Sequence, residues 1–97
     1  MIRHVVMLRW NDTVTETHVA AVSAGLDALP ALVPQIADYH HGPDQQLAPT
    51  NFDYSIVGDF ASVDAYLTYR DHPVHQRFIA DHITGRVADR AAVQFEF

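Results

Sequence analysis

At 97 residues the chain is long enough for one domain with a single core, and short enough that self-association would add to its stability. Its hydrophobic content of 48% argues against disorder, and 12 acidic against 6 basic residues give a net charge of −6. The basic residues are all arginines and are scattered, which excludes a phosphate-tracking surface and so nucleic acid; the lack of lysine and cysteine removes Schiff-base chemistry, disulfides and thiolate metal sites.

Residues Ile2 to Trp10 read as a strand rich in β-branched and apolar types. Ile2, His4, Val6, Leu8 and Trp10 share one face and Arg3, Val5, Met7 and Arg9 the other, so the strand is apolar on both sides and central. Thr13 and Glu16 fit a capping box that opens a helix to about Leu29, with Val19, Val22, Leu26 and Leu29 on its stripe. Pro30 and Pro34 are expected to end it, and Gly25 inside it implies a packing demand. Ile36 to His41 forms a second strand near an edge, closed by Gly42-Pro43 and a polar loop to Asn51. Phe52 to Phe60 alternates, with Phe52, Tyr54, Ile56 and Phe60 on one face.

Ser62 caps a short helix that must break before Pro73, and Pro73 suits the first turn of a new one. There His75, Phe78, Ile79, His82 and Ile83 fall on a buried stripe, with Gly85 as the C-cap. Ala91 to Phe97 alternates as a last strand that buries Val93, Phe95 and Phe97. The order βαββαβ is the ferredoxin-like arrangement: an α+β fold with a four-stranded antiparallel sheet and helices on one face. The second apolar face of the first strand then needs cover, and a homodimer stacking two sheet faces would supply it. No apolar run approaches the ~20 residues of a membrane span. No leader pattern opens the chain, so a single domain over residues 1–97, cytoplasmic and without membrane contact, is expected.

The chemistry-bearing residues gather around Asp71-His72-Pro73-Val74-His75 and around His4. If His4 and His75 meet in an apolar pocket, burial would keep both neutral and suit them to acid–base work at a carbonyl, with Tyr69 as a hydrogen-bond donor. The competing reading ties His4 to His75 or to a backbone group as a structural link. His72 and Asp71 suit capping of the proline-initiated helix. His75 and His82 lie two helical turns apart and His40 and His41 point to opposite faces, so no metal site is expected.

Taken together, Ile2-Arg3-His4-Val5-Val6-Met7-Leu8-Arg9-Trp10, Leu29-Pro30 with Val33-Pro34, Asp53-Tyr54 with Asp59-Phe60, Tyr69-x-x-His72-Pro73-x-His75 and Val87-Ala88-Asp89-Arg90 with Val93-Gln94-Phe95 resemble the stress-responsive dimeric A/B-barrel (Dabb) family. The resemblance implies a dimeric α+β barrel. It also implies one of two functions: a stress-related protein without assigned chemistry, or cofactor-free cyclisation of a polyketide by aldol condensation, as in a plant member. The residues that match the plant member's site are His4, His75 and Tyr69. Its further histidine falls at Tyr54 and a helix tyrosine falls near Leu26. Cofactor-free monooxygenases share the scaffold, and Trp10 with Tyr39 or Tyr54 would suit their flat substrates.

The expectation is therefore a homodimer with one small hydrophobic pocket per subunit and no cofactor. His75 would be the general base, His4 the polarising partner and Tyr69 the donor. Tyr54, Val6, Leu8, Leu26, Phe78 and His72 would line the site, for a small hydrophobic or polyketide-like ligand. The alternative is a non-enzymatic dimer with structural histidines.

Overall fold

A computed structural model describes residues 1–97. The elements run β1 (Ile2–Trp10), α1 (Glu16–Leu32), β2 (Asp38–Pro43), β3 (Tyr54–Phe60), α2 (Val63–Asp71), α3 (Pro73–His82) and β4 (Val87–Glu96). All strand pairs are antiparallel in the order β2-β3-β1-β4, the ferredoxin-like topology expected from the sequence. Strand β1 is a central strand, hydrogen-bonded to β3 on one edge and β4 on the other, as expected.

The helices cover one face of this sheet. Val6, Leu8, Tyr54, Ile56 and Phe60 of the sheet meet Val22, Leu26, Leu29, Tyr69 and Phe78 of the helices in a single core. Gly25 is demanded by packing: a Cβ there would stand 2.9 Å from the Phe78 ring. No helix is long and apolar enough to cross a membrane.

Several boundaries differ from expectation, each for a local reason. The N-cap of α1 is Thr15, whose hydroxyl accepts from His18 N, because Asn11 captures the Thr13 amide in a preceding turn. Pro30 is accommodated within the last turn of α1, and the helix runs on to Leu32. Ile36 is held in a turn by its bond to Val33 O and buried in the core, which delays β2 to Asp38. Ile83 caps α3, and Gly85 sits two residues beyond it with φ +80, where the left-handed backbone favours glycine.

Strand β4 begins at Val87 rather than Ala91, and its orientation reverses the expected burial. Val93 and Phe95 remain 55% and 45% exposed, because they sit on the sheet face away from the helices. Register places Gln94 opposite His4 and Arg90 opposite Leu8, so the polar side of β4 is the side that the helices face. The outer face, with Val5, Met7, Val57, Val93 and Phe95, has no covering layer within the chain.

Candidate functional site

A cavity of about 270 Å³ lies between the inner sheet face and the helices. Its apolar wall is Val6, Leu8 and Ile56 from the sheet, Leu26 from α1, and Phe78, Ile79 and Ile83 from α3 and its end. Its polar groups are His4, Tyr39, Tyr66, Tyr69, Arg70, His75, Gln76 and Arg90.

His4 is 5% exposed on the central strand. Its Nδ1 accepts a hydrogen bond of 2.8 Å from Nε2 of Gln94 on β4, and its ring lies 4.9 Å from that of Tyr66. Burial, helped by the charges of Arg90 and His75, lowers its pKa to about 4. At neutral pH the imidazole is uncharged, and with Nδ1 accepting, the proton resides on Nε2.

His75 reaches the cavity through the break between α2 and α3. The Val74 amide, which would otherwise extend α2 by bonding Arg70 O, donates instead to Nδ1 of the cap His72. The freed Arg70 carbonyl accepts from Nδ1 of His75 at 3.0 Å and from Nε2 of Gln76 at 2.6 Å. A carbonyl can only accept, so His75 carries its proton on Nδ1 and presents a bare Nε2. Burial lowers its pKa, against an opposing pull from the Arg70 carbonyl. Its ring stacks on Tyr69 at 4.2 Å, while the Tyr69 hydroxyl pairs with that of Tyr39 at 2.7 Å. Burial pushes the Tyr69 phenol up to about 12 and raises that of Tyr39, so both stay protonated donors at neutral pH.

His4, His75, Tyr69, Val6, Leu8, Leu26 and Phe78 thus border one space. His4 and His75 do not bond each other, nor does His4 tie strand to helix; its partner is Gln94 in the same sheet. Two expected lining residues are elsewhere. His72 is the N-cap of α3 and stays outside the cavity. Tyr54 is also outside it, because its hydroxyl is drawn toward α1 and β2: it bonds Ser23 Oγ at 2.8 Å and Nδ1 of His41 at 2.9 Å, and His41 in turn donates from Nε2 to Asp27 at 2.8 Å. Trp10, 5.9 Å from Tyr54, lies outside as well, and of the aromatics considered for a flat substrate only Tyr39 borders the cavity.

Gln94, Arg90 and the Arg70 carbonyl are site groups that sequence reasoning missed. Gln94 and Arg90 were legible in principle, as they alternate with Val93 and Ala91. Assigning the apolar side of that strand to the core concealed them.

The sequence profile described as the stress responsive A/B barrel domain matches residues 2–97. The chain belongs to the Dabb family. A dimeric ferredoxin-like protein of unknown function from Thermobifida fusca is 43% identical over 99% of this chain and 90% of its own, with a TM-score of 0.92. A hydroxynitrile lyase from Passiflora edulis is 19% identical, over 97% of this chain and 90% of its own, with a TM-score of 0.82. An antibiotic biosynthesis monooxygenase is 10% identical, over 100% of this chain and 98% of its own, at a TM-score of 0.78. At such identities the last two share the fold of this Dabb chain. No curated protein matches it.

The depressed His4 pKa has a signed consequence for stability. The unfolded chain takes up a proton near the ordinary imidazole value of 6.5, whereas the folded chain resists until about 4. Stability present above pH 6.5 is therefore lost as the pH falls toward 4. The expected result is a Tm that declines over this window, with a shallower decline in His4→Gln measured by circular dichroism. Parallel declines in the two proteins would contradict a neutral, buried His4.

Proposed function

We propose that the chain forms a homodimer through its uncovered sheet faces, and that the cavity binds a small, mostly apolar carbonyl compound for cofactor-independent acid–base chemistry. The observation that carries the chemical reading is the pair of partners on the two Nδ1 atoms, a carbonyl at His75 and an amide NH₂ at His4, which assign opposite tautomers to two imidazoles on one cavity. His75 commits its donor to Arg70 O and keeps a lone pair on Nε2; His4 commits its acceptor to Gln94 and keeps a proton on Nε2. One is a base and the other a hydrogen-bond donor.

A substrate carbonyl oxygen placed at His4 Nε2 and an α-carbon placed at His75 Nε2 suit proton abstraction. The C–H bond breaks, its proton passes to His75, and the electron pair moves to the oxygen as an enolate that His4 and Tyr69 stabilise. Returning the proton gives exchange. Attack of the enolate carbon on a second carbonyl of the same molecule forms a carbon–carbon bond, and His75 then protonates the resulting alkoxide, an aldol-type closure. The cavity volume stands just below the ~300 Å³ at which ligand pockets usually begin, which favours a short substrate over an extended polyketide. The hydroxynitrile lyase and the monooxygenase support this scaffold as a host for catalysis in other proteins, and neither carries its reaction over.

The second reading is a stress-related dimer in which both imidazoles are structural, favoured by the protein bond that each already makes. Deuterium exchange into the α-position of small methyl ketones, followed by proton NMR in D₂O, separates the two. The chemical reading predicts acceleration by the wild type, a loss of about 10²–10⁴-fold in His75→Ala, and a nearly unchanged Tm. The structural reading predicts no acceleration and a lowered Tm in the same variant.

Support for the dimer is the exposed apolar strip of Met7, Val93 and Phe95, together with relatives described as dimeric. Light scattering should give twice the chain mass, and Phe95→Glu should shift it toward the monomer. A wild-type monomer would refute the assembly.

A further inference from the structure

Charge is distributed unevenly between the cavity and the rest of the molecule. The chain carries twice as many acidic as basic residues, yet none of the 15 residues lining the cavity is acidic. Two of the six arginines, Arg70 and Arg90, are there with His4 and His75.

The two arginines are not equivalent. Arg70 is engaged by the Asp71 carboxylate through two hydrogen bonds, of 2.9 and 3.1 Å, which offset its charge. The side chain of Arg90 makes no hydrogen bond or ion pair within the chain. The neighbouring Asp89 turns its carboxylate to the Arg90 backbone amide, at 2.9 Å, instead of to the guanidinium. Register with Leu8 directs Arg90 to the inner sheet face, and it borders the cavity. Its charge reaches the interior, lowering the pKa of His4 and opposing the rise at Tyr69.

We infer that Arg90 binds the carboxylate of the ligand, so that the small carbonyl compound is an oxo acid with its carbonyl among His4, His75 and Tyr69 and its acid group at the rim of the cavity on β4. This rests on the reading of the cavity as a carbonyl site and assigns the second functional group of its ligand. A guanidinium is always charged and offers paired donors that match a carboxylate. The absence of acidic lining residues removes both competition for Arg90 and repulsion of an entering anion. The Leu8, Leu26 and Phe78 surface is left to the short hydrocarbon between the two groups.

The test is binding of short oxo acids, levulinate among them, each against its own methyl ester, which keeps the ketone and removes the charge. Backbone and imidazole NMR shifts of the full chain report affinity and place the ligand. The expected result is about five- to tenfold tighter binding of the acid at low salt, a difference that shrinks as salt is raised. Arg90→Gln should level the two affinities, and Arg90→Lys should keep part of the difference. Equal affinities of acid and ester in the wild type, or a preference that survives in Arg90→Gln, would overturn the Arg90 assignment while leaving the carbonyl cavity standing. If neither acid nor ester shifts His4, His75 or Tyr69, the cavity reading fails and the assignment fails with it.

Discussion

The hydrogen bond from Gln94 to Nδ1 of His4 joins the central strand to its edge neighbour on the face that the helices cover. An imidazole in the core of a small domain is costly unless it is neutral and partnered, and this bond supplies the partner. It also fixes which nitrogen carries the proton, so one contact serves packing and chemistry together. The register of β4 on β1 puts its polar side on this inner face, where Gln94 reaches His4. Its apolar side is then left on the outer sheet face, the surface that we propose a second copy covers.

The other half of the site depends on a broken helix. Without Pro73, α2 could continue, and its Arg70 carbonyl would be consumed by the backbone. The break releases that carbonyl, and His75 takes it. Two unrelated backbone features, a strand register and a helix stop, thereby set opposite tautomers on two imidazoles facing one cavity. Tyr69, stacked on His75 and bonded to Tyr39, forms part of the wall of the same cavity.

The fold was legible in the sequence because hydrophobic period marked the type and order of every element, although several caps and boundaries fell elsewhere. Ser62 and Pro73 start their helices as their chemistry requires. At the start of α1 the local signal misled because a neighbour had claimed the group in question: Asn11 holds the Thr13 amide. The candidate site was legible in part. His4 and His75 stand out by residue type and by their place on an apolar face or stripe. Gln94 and Arg90 do not, because alternation shows that a strand has two faces without showing which one its own helices cover. Tyr54 misled for a related reason: it shares the inner face, but Ser23 and His41 hold its hydroxyl away from the cavity, a long-range contact that no periodicity displays.

The proposed chemistry depends on which nitrogen of each ring carries the proton. Long-range nitrogen–proton correlation NMR of the imidazoles at neutral pH reads this directly, without a known substrate. The result expected is His4 neutral with its proton on Nε2 and His75 neutral with its proton on Nδ1. Both rings protonated on the same nitrogen, or either ring charged at neutral pH, would contradict the paired base and donor on which the proposed chemistry depends.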